Sequence, residues 1–283
     1  ADHTITFVEK KRGFFTASGP DFIGNLNVNA LGLRENDYLR EKPSSYKLDL
    51  DALLLESGAR KFRSHKGTFG SVLVVGGNYN MGGAVALAGE AALRTGAGLV
   101  RVLTRKEHIS SILGRTPELI VFETKSKRQI ESIISQSDVI LVGPGLGRDS
   151  WAEKLLNAVL KNNSKIILDA DALNLLTERK ITSFRSKCII STPHPGEAAR
   201  LLSVSSGEVQ KDRFRAAEAI QKFIGGIVIL KGNGTLIFDG KNFLICPYGN
   251  PGMATAGMGD VLGGVVASLL TQGFEKKFAS SLA

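Results

Sequence analysis

With 283 residues, 43% hydrophobic and 22% charged, the chain has the composition of a globular protein with a substantial core. The formal charge of +9 points to anionic partners, but only 7% of residues are aromatic and no basic stripe with interleaved aromatics occurs. A nucleic-acid stacking platform is therefore not expected, and a small polyanionic ligand accounts for the charge. Two cysteines exclude a disulfide framework and show no metal-ligand spacing, so reduced thiols in a cytoplasmic setting are expected. No apolar run approaches the roughly 18–20 residues needed to span a bilayer.

In chain order, residues 4–8 and 24–28 read as short strands with turn residues between them, and residues 42–45 as a linker. Regular alternation begins near Ser71. Strands are expected at 72–75, 99–103, 139–142, 165–168, 188–190 and 227–230, with helices at 84–95, 130–135, 151–161, 197–202, 214–223 and 261–270. Residues 236–238 and 243–245 flank Asp239-Gly240, a hairpin signal. Strands alternating with helices predict an α/β fold with a mostly parallel sheet covered on both faces. The chain opens at Ala1 without a methionine and stops in a helix-like run, so both ends read as cut.

In such sheets ligands lie beyond the carboxyl ends of the strands, so the loops after strands carry the information. Residues 250–260 (Asn-Pro-Gly-Met-Ala-Thr-Ala-Gly-Met-Gly-Asp) run directly into an apolar helix. Small residues there let backbone N–H groups converge at a helix N-terminus, where phosphate binds. Asp260 beside such an anion cradle suits a base that takes a proton from an attacking hydroxyl; the plainer reading is a helix N-cap. Gly143-Pro-Gly-Leu-Gly147 brings backbone near a substrate at Gly145 and Gly147, or is simply a tight turn. Thr192-Pro-His-Pro-Gly-Glu197 fixes His194 between two prolines, suited equally to a ligand contact and to a structural role. Lys231-Gly-Asn-Gly-Thr235 reads as a strand-turn-strand, with a nucleotide contact as the sharper alternative; the chain contains no Walker A loop. Residues 76–84 resemble a second backbone cradle. Asp169 and Asp171 end a strand; capping is the expectation for Asp171, while Asp169 stays open between a cap and a metal-bound phosphate.

The order of these motifs, from His65-Lys-Gly-Thr-Phe-Gly70 through Leu168-Asp-Ala-Asp-Ala-Leu173 to the loop at 250–260, resembles the ribokinase-like superfamily and, within it, the NAD(P)H-hydrate dehydratases. The resemblance implies a three-layer α/β/α sandwich over residues 46–283. Residues 1–45 resemble the tail of an NAD(P)H-hydrate epimerase domain plus a linker, so a bifunctional parent protein is implied. It further implies a hydro-lyase that restores NADH or NADPH from the S epimer of its hydrate, with ADP as co-substrate and release of AMP and phosphate. Carried over residue by residue, Asp260 would be the catalytic base. Ala84, Gly145, Gly147, His194 and Asp260 would contact the hydrated dinucleotide. Lys231, Gly232, Asn233, Gly234, Thr235, Gly257 and Gly259 would contact the nucleotide. Mg²⁺ is expected with the nucleotide and no residue is expected to ligate a metal directly. A cytoplasmic homo-oligomer such as a tetramer, with no membrane or nucleic-acid partner, completes the expectation. Ala256 stands where many relatives carry glycine. Two other readings compete: a sugar or vitamin kinase of the same superfamily, and a non-catalytic dinucleotide-binding module. The latter would need G-x-G-x-x-G after the first strand of the alternation, where Gly-Gly-Asn-Tyr-Asn-Met-Gly-Gly stands instead.

Overall fold

The computed structural model describes residues 1–34, 37, 42–179, 181 and 189–283. Twelve strands are found among them: β1 (His3–Phe7), β2 (Asn25–Asn29), β3 (Tyr46–Lys47), β4 (Ser71–Val75), β5 (Leu99–Thr104), β6 (Ile120–Glu123), β7 (Val139–Val142), β8 (Lys165–Leu168), β9 (Ile189–Ser191), β10 (Ile227–Leu230), β11 (Thr235–Phe238) and β12 (Phe243–Cys246). Ten form one sheet in the order β3-β12-β11-β10-β9-β8-β7-β4-β5-β6. Pairing is parallel throughout except where β11 meets β10 and β12. The expected hairpin is therefore present, closed by Asp239, whose Oδ1 accepts from the N–H groups of Lys241 and Asn242.

The apolar runs make this arrangement obligatory. Ser71-Val-Leu-Val-Val75 is buried along its whole length, so both faces of the strand must be covered. Leu73 and Val75 enter one apolar layer with Ile140, Ile166, Leu155, Leu175 and Ile220, beneath the helices Ser150–Leu160, Ala170–Glu178 and Arg213–Ile224. Val72 and Val74 enter the opposite layer with Val102, Leu141, Ile167 and Val266, beneath Gly82–Thr95 and Met258–Thr271. The expected α/β/α layering and mostly parallel sheet are both found.

Residues 1–29 contribute no strand to this sheet. β1 and β2 pair with each other in parallel, and the chain enters the large sheet only at β3. Several short elements escape a reading of the sequence: the helices Leu50–Ser57, Ile109–Arg115 and Ser206–Lys211, and the edge strand β6. Cys188, expected at the start of β9, lies outside the described residues.

The two helices Gly82–Thr95 and Met258–Thr271 run parallel. Gln272 Nε2 donates to the Thr95 carbonyl at 3.1 Å where they end, and Gly264 lies against the Ala88 carbonyl midway. Their N-termini consequently open on the same side, at the carboxyl ends of the parallel strands.

Candidate active site

Five loops meet there: those after β4, β7, β8, β9 and β10, together with the start of the Met258–Thr271 helix. The loop after β7 closes on the loop after β4. Gly77 N–H donates to the Pro144 carbonyl at 2.9 Å, and Asn78 N–H to the Gly145 carbonyl at 2.7 Å. Gly145 has φ +54°, and a Cβ on it would sit 2.6 Å from Met81 Cβ, so only glycine permits this contact. The expected cradle at 76–84 is thus smaller than its sequence implies. The amides of Gly76, Gly77, Asn78, Tyr79, Met81 and Ala84 all have protein acceptors. Gly147 N–H likewise donates to Asp171 Oδ2 at 2.9 Å.

Asp171 does not cap its helix. It sits one residue inside Ala170–Glu178, and its carboxylate ties that helix to Gly147 and Arg148 while accepting from Asn174 Nδ2 within the helix. Asp169 occupies the N-cap position without capping, because its side chain turns toward β9 and β10 instead. Thr192 Oγ1 donates to Asp169 Oδ1 at 2.6 Å, and Lys231 Nζ lies 3.0 Å from the same oxygen. Asp169 is only 1% exposed, so its charge requires both partners.

Lys231 also faces Glu197, with Nζ 3.9 Å from Oε2. Glu197 is the third residue of the helix Pro195–Leu202 and closes a capping box with His194. The Gly196 N–H donates to His194 Nδ1 at 3.0 Å, and the His194 N–H to Glu197 Oε2 at 2.8 Å. With Nδ1 accepting, Nε2 carries the proton and donates toward Glu197 Oε1 at 3.2 Å. Burial pushes the Glu197 carboxyl upward, but the His194 hydrogen bond and the Lys231 charge outweigh it and hold it below the ordinary carboxylate range. His194 is thus a helix cap whose ring remains exposed at the cleft. His194→Ala is expected to cost about 1 kcal/mol in urea denaturation through loss of the cap.

Asp260 is not an N-cap either. The N-cap position is Gly257, at φ +90°, and Asp260 is the third residue of the 14-residue helix. Its carboxylate has no protein hydrogen-bond partner among the described residues, unlike every other acid around it. Burial raises its pKa to about 6, and the nearby Asp169 and Glu197 charges add to the rise while Lys231 opposes it. Gly259 packs on the Lys231 ammonium, where a Cβ would approach Nζ to 3.1 Å. A half-buried carboxylate without a protein partner, beside helix N–H groups at the start of Met258–Thr271, can accept a proton while those groups hold an anion.

Of the residues expected to form the site, Lys231, Gly257, Gly259, Asp260 and His194 converge here. Ala84, Gly145 and Gly147 line the neighbouring pair of loops. Gly232, Asn233, Gly234 and Thr235 form the turn between β10 and β11, with Thr235 Oγ1 donating to the Gly232 carbonyl at 3.0 Å. Asp169, Thr192 and Glu197 complete the charge network, and sequence reasoning did not bring them together. The Glu197 signal was readable, since His-x-x-Glu before an apolar helix has the form of a capping box.

Residues 72–282 match the sequence profile of the NAD(P)H-hydrate dehydratase family. A bifunctional NAD(P)H-hydrate repair enzyme from Coxiella burnetii is 45% identical over 273 residues, covering 96% of this chain and 55% of that protein. The chain spans about half the length of the bifunctional relatives it matches. An ADP-dependent (S)-NAD(P)H-hydrate dehydratase from Streptococcus thermophilus is 37% identical over 231 residues, covering 80% of this chain and 82% of that protein. Among solved structures, a ribokinase-like superfamily protein from Enterococcus faecalis superposes with a TM-score of 0.77 at 30% identity, covering 86% of each chain. An ADP/ATP-dependent NAD(P)H-hydrate dehydratase from Bacillus subtilis, co-crystallised with ATP and Mg²⁺, gives a TM-score of 0.70 at 30% identity, covering 79% of this chain and 80% of that one. On sequence and on fold, this chain belongs to the NAD(P)H-hydrate dehydratase family.

Proposed function

We propose that the chain dehydrates the S epimer of hydrated NADH or NADPH, using ADP as co-substrate and releasing AMP and phosphate. The observation that carries this reading is Asp260: a carboxylate with no hydrogen-bond partner among the described residues, a pKa of about 6, and a place in the first turn of the Met258–Thr271 helix. A carboxylate at that value is ionised at neutral pH yet more basic than an ordinary one.

The hydrate carries a hydroxyl on the ring carbon next to the nitrogen, and hydroxide leaves poorly. Asp260 would take the hydroxyl proton as its oxygen attacks the terminal phosphorus of the donor, breaking the bond to the departing AMP. The N–H groups of Gly257 to Gly259 would stabilise charge on the transferred phosphoryl, without reorganising. The ring nitrogen then expels phosphate, and proton loss restores the dihydropyridine. Lys231, clamped between Asp169 and Glu197, keeps the Asp260 pKa from rising further. Among the described residues, no three His, Cys, Asp or Glu are arranged to hold a metal, and Asp169 is engaged by Thr192 and Lys231. An ion accompanying the nucleotide would be held chiefly by its phosphates and water.

The test is purified chain with hydrated NADH, following both the recovered NADH absorbance and free phosphate. ADP is expected to support faster repair than ATP, because a donor one phosphate shorter places its terminal phosphorus at Gly257–Asp260 without crowding the Lys231–Thr235 turn. A higher kcat/KM with ATP would overturn the donor assignment alone. A stable phosphoester with no phosphate release would instead identify a kinase and overturn the dehydratase reading.

A further inference from the structure

The Lys231–Thr235 turn is held from behind by a part of the chain outside the 72–282 region matched by the family profile. Residues Arg12–Phe15 form one turn of 3-10 helix, and Thr16, 6% exposed, follows it into the β10–β11 turn. Thr16 Oγ1 donates to the Gly234 carbonyl at 2.9 Å. Ala17 N–H donates to the Asn233 carbonyl at 3.1 Å, and Asn233 Nδ2 returns a bond to the Ala17 carbonyl at 2.8 Å. A Cβ on Gly234 would lie 1.8 Å from the Phe15 carbonyl oxygen, so this glycine exists for the arm.

Arg213 closes the arrangement from the other side. Arg213 is 2% exposed, and among the described residues no carboxylate lies within 4.0 Å of its guanidinium. All of its partners are neutral. Nε donates to Thr16 Oγ1 at 2.9 Å, Nη1 to Gln210 Oε1 at 2.9 Å, and Nη2 to the Leu230 and Lys231 carbonyls at 3.0 and 3.2 Å. Gly232 lies directly over the guanidinium, where a Cβ would come within 2.9 Å of Nη1. A buried arginine without a counter-ion is costly, and its donors here converge on the backbone that aims Lys231.

We propose that Thr16 and Arg213 are positioning residues for the Lys231–Thr235 turn, which makes the arm at residues 12–17 a working part of the nucleotide site. The inference rests on the reading of that turn as the donor-binding segment. Without the Thr16 hydroxyl, Arg213 Nε and the Gly234 carbonyl both lose a buried partner, and the turn is free to relax away from the donor.

The test uses the full chain. Thr16→Val keeps the shape and removes the hydroxyl, and Thr16→Ser keeps the hydroxyl. Thr16→Val is expected to weaken ADP binding about tenfold by calorimetry, with KM for the hydrated dinucleotide within about twofold of wild type. Thr16→Ser should bind ADP like wild type. In parallel, amide hydrogen exchange of residues 231–235 in the wild-type chain, with and without ADP, tests the underlying reading. Protection of these amides by ADP, together with unchanged ADP affinity in Thr16→Val, would overturn the positioning role and leave the donor turn standing. Equal weakening in Thr16→Ser and Thr16→Val would also overturn it, since the hydroxyl would then not be responsible. Absence of protection by ADP would remove the donor-turn reading, and this inference with it.

Discussion

Asp260→Asn is expected to lower kcat by about 10²–10⁴ while leaving ADP affinity nearly intact. Asparagine occupies the same volume in the first turn of the Met258–Thr271 helix, and the backbone N–H groups of Gly257 to Gly259 are untouched; only the proton acceptor is lost. The substitution should also stabilise the fold, and the sign follows from the raised pKa. The Asp260 carboxyl titrates near 6 in the folded chain against 3.8 ordinarily, so its protonated form is favoured by folding. That contribution is present below about pH 4 and is lost as pH rises through 6, so above 6 the wild-type chain carries an ionised, half-buried group. Asparagine carries no such charge. At pH 8 the variant should gain about 1–3 kcal/mol at most, discounted for partial exposure, with the gain vanishing near pH 3. Thermal melts at the two pH values together with single-turnover rates check both halves. Retention of more than about a tenth of wild-type kcat would remove Asp260 from the role of base.

Lys231→Met should be the most destabilising single change in the site. Lys231 is the cation that faces both Asp169, 1% exposed, and Glu197, 5% exposed, and methionine fills its volume without its charge. Removing one partner of a buried ion pair leaves the other uncompensated, at about 3–5 kcal/mol. Denaturant midpoints at pH 8 measure this, and a variant as stable as wild type would show that Thr192 and His194 suffice for the two acids. A second effect falls on the chemistry. Burial raises the Asp260 pKa first and the two acids raise it further, while Lys231 holds it down. Without Lys231 the carboxyl moves above 6, so the acidic limb of the kcat/KM profile should shift to higher pH. An unshifted limb would separate Lys231 from Asp260 electrostatically.

Much of this architecture is written in local sequence. The buried strands announce themselves as short runs such as Val72-Leu-Val-Val75 and Ile227-Val-Ile-Leu230, because a strand covered on both faces needs apolar side chains at every position. The β11–β12 hairpin and the approach to Asp260 were equally legible, since turn geometry and helix starts depend on residues a few positions apart. The strand β6 escaped because it is an edge strand only partly buried, and its Ile-Val-Phe-Glu run carries too little apolar pattern to be distinctive.

What the sequence could not decide is which partner each polar group takes, because those partners come from distant elements. Asp169 is bonded by residues 23 and 62 positions away. Gly147 gives its N–H to Asp171 only because the loops after β7 and β8 abut, and Gly145 and Gly234 are required by neighbouring backbone that no local window contains. Arg213 had no signal at all, as an ordinary basic residue at the start of a helix. It is buried only because Thr16, 197 positions earlier, and the carbonyls at the end of β10 close over it. Apolar patterning therefore determined the layers and the place of the cleft. The long-range closure of those layers decided which carboxylates in the cleft are paired, and among the described residues left Asp260 without a protein partner there.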